Sequence, residues 1–526
     1  MNGPQHPSTA RGQPAPPAAA ASPSSGARAN YTDGPVEAHV RRLSAFMMLG
    51  FLAMTLAQFI EALYLGRVGT AELAAVAFTF PLTLGLNAMV RGIGIGASAV
   101  VARTIGSGDG DGAGRLISHC LVLVLGFALA FVVAALLWSD ALFTAMGAPA
   151  HVAELATLYT HIWFIGFPLF AVSMVGTGLI RAVGDAAYPG SVMTLGSVLQ
   201  VVIAPFLIFG WLQDGLALLI PGQSLPRSWL AGLTTAGMAV PTDGIAGAAW
   251  SFVIARAISC AMTARWFLRS GRQPRAHARG DAGDPPAGAS DDIRLTASMQ
   301  HFGTSSRAIL HVGLPSVFTN LVPSISSGII TAMLAGFGHA VVAGFGVASR
   351  VEALVSMVVI AISSSTGPMV GQNWGAGRFE RVRESLRVCY LYCLGWGVLA
   401  GVIMWIGGRF LVTLINDDPA LVDAATMYLH IVPPSIGFMG VMAVASASFN
   451  ALGKPLPPLL LSLARALVLY VPVAWLAARW FGYVGIFVAT AAANVVMGVL
   501  AWHWQRDSLR EAICHREAIS QHPARF

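Results

Sequence analysis

The chain states one pattern twice, at a fixed distance of 269 residues. Gly69 in RVGTAELAAV matches Gly338 in GFGHAVVAGF, Gly106 in VARTIGSGD matches Gly375 in VGQNWGAGR, and Gly184 and Pro189 match Gly453 and Pro458. An offset kept over so many residues means that the helices and loops between the matches keep their lengths, as in a duplicated bundle. Further on, Gly247 matches Gly485 at a distance of 238, so the first half carries 31 extra residues there (269 − 238). These fall at about 212–242, a stretch of Gly, Pro and Thr that reads as a loop insertion.

Composition identifies the solvent. With 56% hydrophobic and 10% charged residues and a mean hydropathy of +0.68, the chain would expose far too much apolar area in water. Its long apolar runs lack the alternation of barrel strands and contain the small residues that let helices approach closely. The expected fold is an all-α integral membrane protein. About twelve transmembrane helices form two pseudo-symmetric six-helix lobes around a central cavity. The last two spans are expected at about 459–480 and 484–504.

The domain reading follows from the same text: a disordered tail over 1–36, an N-lobe over 37–269, a polar linker over 270–304, a C-lobe over 305–505 and a second tail over 506–526. Arg and Lys crowd the tails and the even-numbered loops, whereas Arg67, Arg227, Arg409 and Arg479 alone fall on the other side. That asymmetry predicts a multi-pass protein with both termini cytoplasmic, and the expected membrane is a bacterial inner membrane. It also accounts for the net charge of +7 without invoking nucleic acid. The five cysteines fall in spans or on the cytoplasmic side, so no disulfide framework is expected. No cofactor, no metal site and a monomeric state complete the expectation, with membrane lipid as surrounding partner.

Charges inside spans are where function is sought, because each costs at least a few kcal/mol unless paired or hydrated. Six qualify: Glu61, Arg91, Arg256, Arg350, Glu352 and Arg465. Arg256 and Arg465 lie within about two turns of Arg-rich ends and read as structural, with their heads reaching toward water. Arg350 and Glu352 point to different faces and need partners on other helices. Arg91 stands where the second half has Ile360, either against an anionic substrate group or against a backbone carbonyl. Glu352 stands where the first half has Thr83 and reads as a residue that holds the second lobe together. The aromatics Phe51, Phe59, Tyr64, Phe78, Phe80, Phe164 and Phe167 are candidates to line a cavity for flat cations, or else to pack helices.

YLGRVGTAELAAVAFTFPL with GIGIGASAVVARTIGSGD, and GFGVASRVEAL with PMVGQNWGAGR, resemble the multidrug and toxic compound extrusion (MATE) transporters. The resemblance implies a V-shaped pair of lobes that exports cationic or amphiphilic organic compounds by alternating access, in exchange for H⁺ (favoured here) or Na⁺. It makes Glu61 the counterpart of the family's first-helix Asp, near Gln200, with Gln58 one turn before it. The family's fifth-helix Asn-x-x-x-Asp-Pro is represented here by Gln200, Ala204 and Pro205, so the second carboxylate is lost. Spans 314–337 and 428–449 hold no acid, so the second-lobe Na⁺ site of some members is not expected. Glu61, Gln200 and Gln58 are therefore the expected coupling and substrate residues, with Glu352, Arg350 and Arg91 secondary. A lipid-linked saccharide flippase of the same superfamily is the alternative. An intramembrane enzyme is disfavoured because no clustered catalytic constellation appears.

Overall fold

The computed structural model describes residues 31–147, 149–209, 244–270 and 298–521, and these are helical with no strand. The first half contributes α1 (Val36–Val68), α2 (Thr70–Gly106), α3 (Gly110–Ala145), α4 (Ala150–Val183), α5 (Ala187–Ile208) and α6 (Ile245–Ser270). The second contributes α7 (Phe302–Ala335), α8 (His339–Gly375), α9 (Phe379–Thr413), α10 (Pro419–Ile431), α11 (Ile436–Ala451), α12 (Leu456–Leu463) and α13 (Val471–Gln521). The insertion at 212–242 and most of the 270–304 linker lie outside the described residues.

Two spans are interrupted for identifiable reasons. Between α10 and α11 the chain forms a 3₁₀ turn at Pro433–Ser435, where two prolines without N–H groups cannot continue an α ladder. Between α12 and α13 lies a π-helical stretch, Ala464–Tyr470, which carries Arg465. Eleven stretches among the described residues are long and apolar enough to cross a membrane. The last, Leu456–Ala518, has 63 residues and is about 95 Å long at about 1.5 Å per residue, too long for one crossing. It breaks at Gly482, whose φ of 61° and ψ of −149° suit only glycine, so two spans meet there, as expected between 480 and 484.

The N-terminal tail expected to be disordered is shorter than the sequence suggested, and the C-terminal tail is helical. Residues 1–30 lie outside the described residues, but Tyr31 is buried, and α1 starts at Val36. The Tyr31 N–H donates to Gln372 Oε1 (3.2 Å), and its carbonyl accepts from Asn373 Nδ2 (3.1 Å) and Arg381 Nη2 (3.2 Å). The boundary at 36 is thus too late: a buried aromatic and three hydrogen bonds hold the preceding turn. At the other end the 506–526 tail is helical to Gln521, with Leu509 and Ile513 buried against the second half.

The core of the first half is built on an aromatic stack. Trp163 stacks on Phe252 (centroids 4.9 Å, 16°) and on Phe167 (5.4 Å, 24°). Phe164 and Phe167 are fully buried here, so these two pack helices and do not line a cavity. Within lipid the apolar transfer term largely vanishes and the cavity term remains. Phe167→Ala is therefore expected to destabilise by about 2 kcal/mol at roughly 24 cal/mol per Å³ of void. A lowered melting temperature of the purified protein in detergent, with Phe167→Leu closer to the parent, would be the observed result.

The halves meet where α2 packs on α7 and, as the repeat equivalent, α1 on α8. At the end of the bundle where Tyr31 and Arg516 pack on α8, the seam is closed by a near-symmetric pair of contacts. Arg103 Nη1 donates to Ala451 O (2.6 Å), and its repeat counterpart Gln372 donates through Nε2 to Ala182 O (2.7 Å), the counterpart of Ala451. A Cβ at Gly106 would stand 2.1 Å from Gln372 O, and one at the equivalent Gly375 2.1 Å from Arg103 O. Two glycines of the repeat therefore let the α2 and α8 backbones touch.

Candidate ion and substrate site

A chain of polar side chains that includes two charged groups crosses the first half. Arg256 on α6 donates from Nη2 to Gln200 Oε1 (2.9 Å), and Gln200 on α5 donates from Nε2 to Glu61 Oε2 (2.7 Å). Tyr159 on α4 donates from its hydroxyl to Glu61 Oε1 (3.4 Å). The order is dictated by chemistry, since a guanidinium only donates and a carboxylate only accepts, which leaves the amide one orientation that serves both. Gln200 and Arg256 are buried, and Glu61 is half-buried.

Arg256 is held rigidly for its task. Its guanidinium lies over the rings of Phe252 (5.2 Å) and Phe170 (5.7 Å), tying the polar chain to the aromatic stack. Its Nε is buried without a hydrogen-bond partner. The sequence reading of Arg256 as a structural residue reaching toward water is thus corrected: its head turns inward to Gln200. Arg256→Leu leaves Gln200 Oε1 unpaired, a cost of about 1–3 kcal/mol, and is expected to lower export roughly tenfold or more. A dose–resistance assay in cells lacking their own pumps, with membrane abundance measured alongside, would register it.

The structure brings together Glu61 and Gln200 and leaves the other expected residues apart. Gln58 lies one turn earlier on α1, is exposed, and takes no part in the chain of hydrogen bonds. Arg91 on α2 and Arg350 on α8 are exposed and form no ion pair among the described residues. Glu352 on α8 accepts from Tyr428 on α10 (2.5 Å), in the other half. Sequence reasoning missed Tyr159 altogether. Its signal was available, because Tyr159 and Tyr428 stand 269 residues apart, at equivalent places of the repeat.

Two polar chains in equivalent lobes, a carboxylate in the membrane and a seam closed at one end are the features of an alternating-access carrier. The MatE family model matches residues 47–206 and again 315–476, once in each half. The chain belongs to the MATE family. It is 26% identical to the FAD transporter of Shewanella oneidensis over 93% of this chain and 97% of that one. It is 25% identical to the probable multidrug resistance protein YpnP of Bacillus subtilis, over 87% and 92%. Among solved structures, the Vibrio cholerae MATE transporter VcmN in its bent form superposes with a TM-score of 0.78 at 25% identity, covering 90% of this chain and 97% of that one. This MATE protein is accordingly a multi-pass membrane transporter and not an enzyme.

Proposed function

We propose that this transporter exports cationic or amphiphilic organic compounds from the cytoplasm of a bacterium in exchange for protons, with Glu61 as the exchanging group. The supporting observation is the Arg256–Gln200–Glu61–Tyr159 chain. A phenol can both donate and accept, so Tyr159 serves Glu61 either as carboxylate or as acid. With Glu61 ionised, its charge offsets that of Arg256 one amide away and offers a cationic substrate a partner. With Glu61 protonated, the guanidinium charge is uncompensated and a bound cation is repelled. Proton entry from outside thus releases substrate outward, and proton loss inside restores the site.

The distribution of arginines supports cytoplasmic termini. On that placement the closed seam at Gly106 and Gly375 faces the cytoplasm and shuts access from that side. One observation favours a second substrate class: a relative is named a FAD transporter, and Arg91 and Arg350 are exposed guanidinium groups suited to a phosphate-bearing compound. Everted vesicles separate the readings. Ethidium uptake driven by an imposed pH gradient and not by a Na⁺ gradient supports proton-coupled cation export. Uptake of labelled FAD with none of ethidium would transfer the assignment to flavin nucleotides.

A further inference from the structure

The second half holds its own carboxyl, phenol, guanidinium and amide, set around the repeat-equivalent tyrosine but recruited from different positions. Tyr428, the counterpart of Tyr159, donates to Glu352 Oε2 at 2.5 Å. The acid arrives from the second helix of its half, where the first half has Thr83, and the counterpart of Glu61 is the buried Ile330. Arg465 takes the place of Gly196 and donates from Nη2 to Asn494 Oδ1 (2.6 Å). Asn494, in turn, is the counterpart of Arg256 at the 238-residue offset, and its Nδ2 donates to Ser435 Oγ (2.9 Å). Acid and guanidinium have both changed helices, yet each half ends with one of each beside the same phenol.

The two sites differ in how fully they are satisfied. Leu469 stands where the first half has Gln200, so no amide reaches Glu352. Its carboxyl takes the single hydrogen bond from Tyr428, is half-buried, and forms no ion pair among the described residues. Arg465 Nε is buried without a partner, as Arg256 Nε is in the first half. The groups that act on Glu352 are Tyr428 from α10, through its hydrogen bond, and Arg465 from the π-helical stretch, through its charge, with Tyr470 on the same stretch. Glu352 keeps an oxygen free to take a proton, next to a cation that favours its release.

We propose that Glu352 is a second exchanging carboxyl, so that each half of the transporter takes up one proton outside and releases one inside per cycle. The proposal rests on the reading of Glu61 given above. A proton adds to the free oxygen of Glu352 as the halves open outward and leaves it as they open inward, with no other bond made or broken.

Stoichiometry tests it. The full-length protein is reconstituted in liposomes with the membrane potential clamped at zero, and a tenfold ethidium gradient is opposed by graded pH gradients until net flux stops. Two protons per monovalent cation place the null at about half a pH unit, one proton at about one unit. The wild type and Glu352→Asp are expected at half a unit. Glu352→Gln is expected to keep transporting with its null at one unit. A wild-type null at one unit overturns the proposal whether or not the variant folds, and so does an unshifted null in Glu352→Gln. If instead Glu61→Gln transports with the wild-type null, the reading of Glu61 is what fails.

Discussion

Glu61→Gln is expected to reduce gradient-driven export by at least tenfold, to the level of vesicles without the protein, while membrane abundance stays normal. The side chain keeps its shape, and Tyr159 can still donate to the new amide oxygen. Proton exchange is lost, and with it the charge that offsets Arg256. The Gln200 Nε2 group would also face either an amide oxygen or another NH₂, a weaker partner than a carboxylate. Glu61→Asp keeps the charge on a shorter arm and is expected to retain part of the activity. Full export by Glu61→Gln at every pH would remove Glu61 from the mechanism.

How far the sequence discloses this site depends on what carried the signal. The repeat offset and the spans are written in spacing and in apolar length, which one chain suffices to read, whereas the pairing of Glu61 with Gln200 comes from the resemblance to the family. Arg256 was misjudged because its distance from an Arg-rich helix end says nothing of the direction its head takes. Only the packing of α6 on α5, with Phe252 and Phe170 beneath the guanidinium, turns it inward. Tyr159 and Tyr428 carry no mark in the sequence beyond their equivalent places in the repeat, and only the fold sets each on a carboxylate. The disordered tail reads too long at 1–36 because polar, charged text resembles disorder even where one buried Tyr pins its end.

Valine at either seam glycine is the second large effect expected. Gly106→Val or Gly375→Val places a Cβ where the structure leaves 2.1 Å to a carbonyl oxygen of the opposing helix, so this end of the seam cannot close. The backbone there is helical and accepts a side chain once the halves separate, so the protein should fold and remain in the conformation open at this end. Export is expected to fall at least tenfold. A single cysteine at Thr104 should become more reactive toward a membrane-impermeant maleimide applied from the side of Tyr31 and Arg516. Arg103→Ala removes the hydrogen bonds to Asn450 O and Ala451 O, about 1.5–3 kcal/mol, but adds no clash to the same seam and is expected to shift labelling less. Unchanged labelling in both glycine variants would show that the seam does not open there.

Substrate and proton are held to compete for one carboxyl, and purified protein in weakly buffered detergent shows this without any gradient. Ethidium added near neutral pH is expected to release protons to a pH indicator from the wild type. Release should fall in Glu61→Gln, with ethidium affinity reduced at the same time. Release from Glu61→Gln equal to that of the wild type, or ethidium binding that displaces Na⁺ and no protons, would contradict the account.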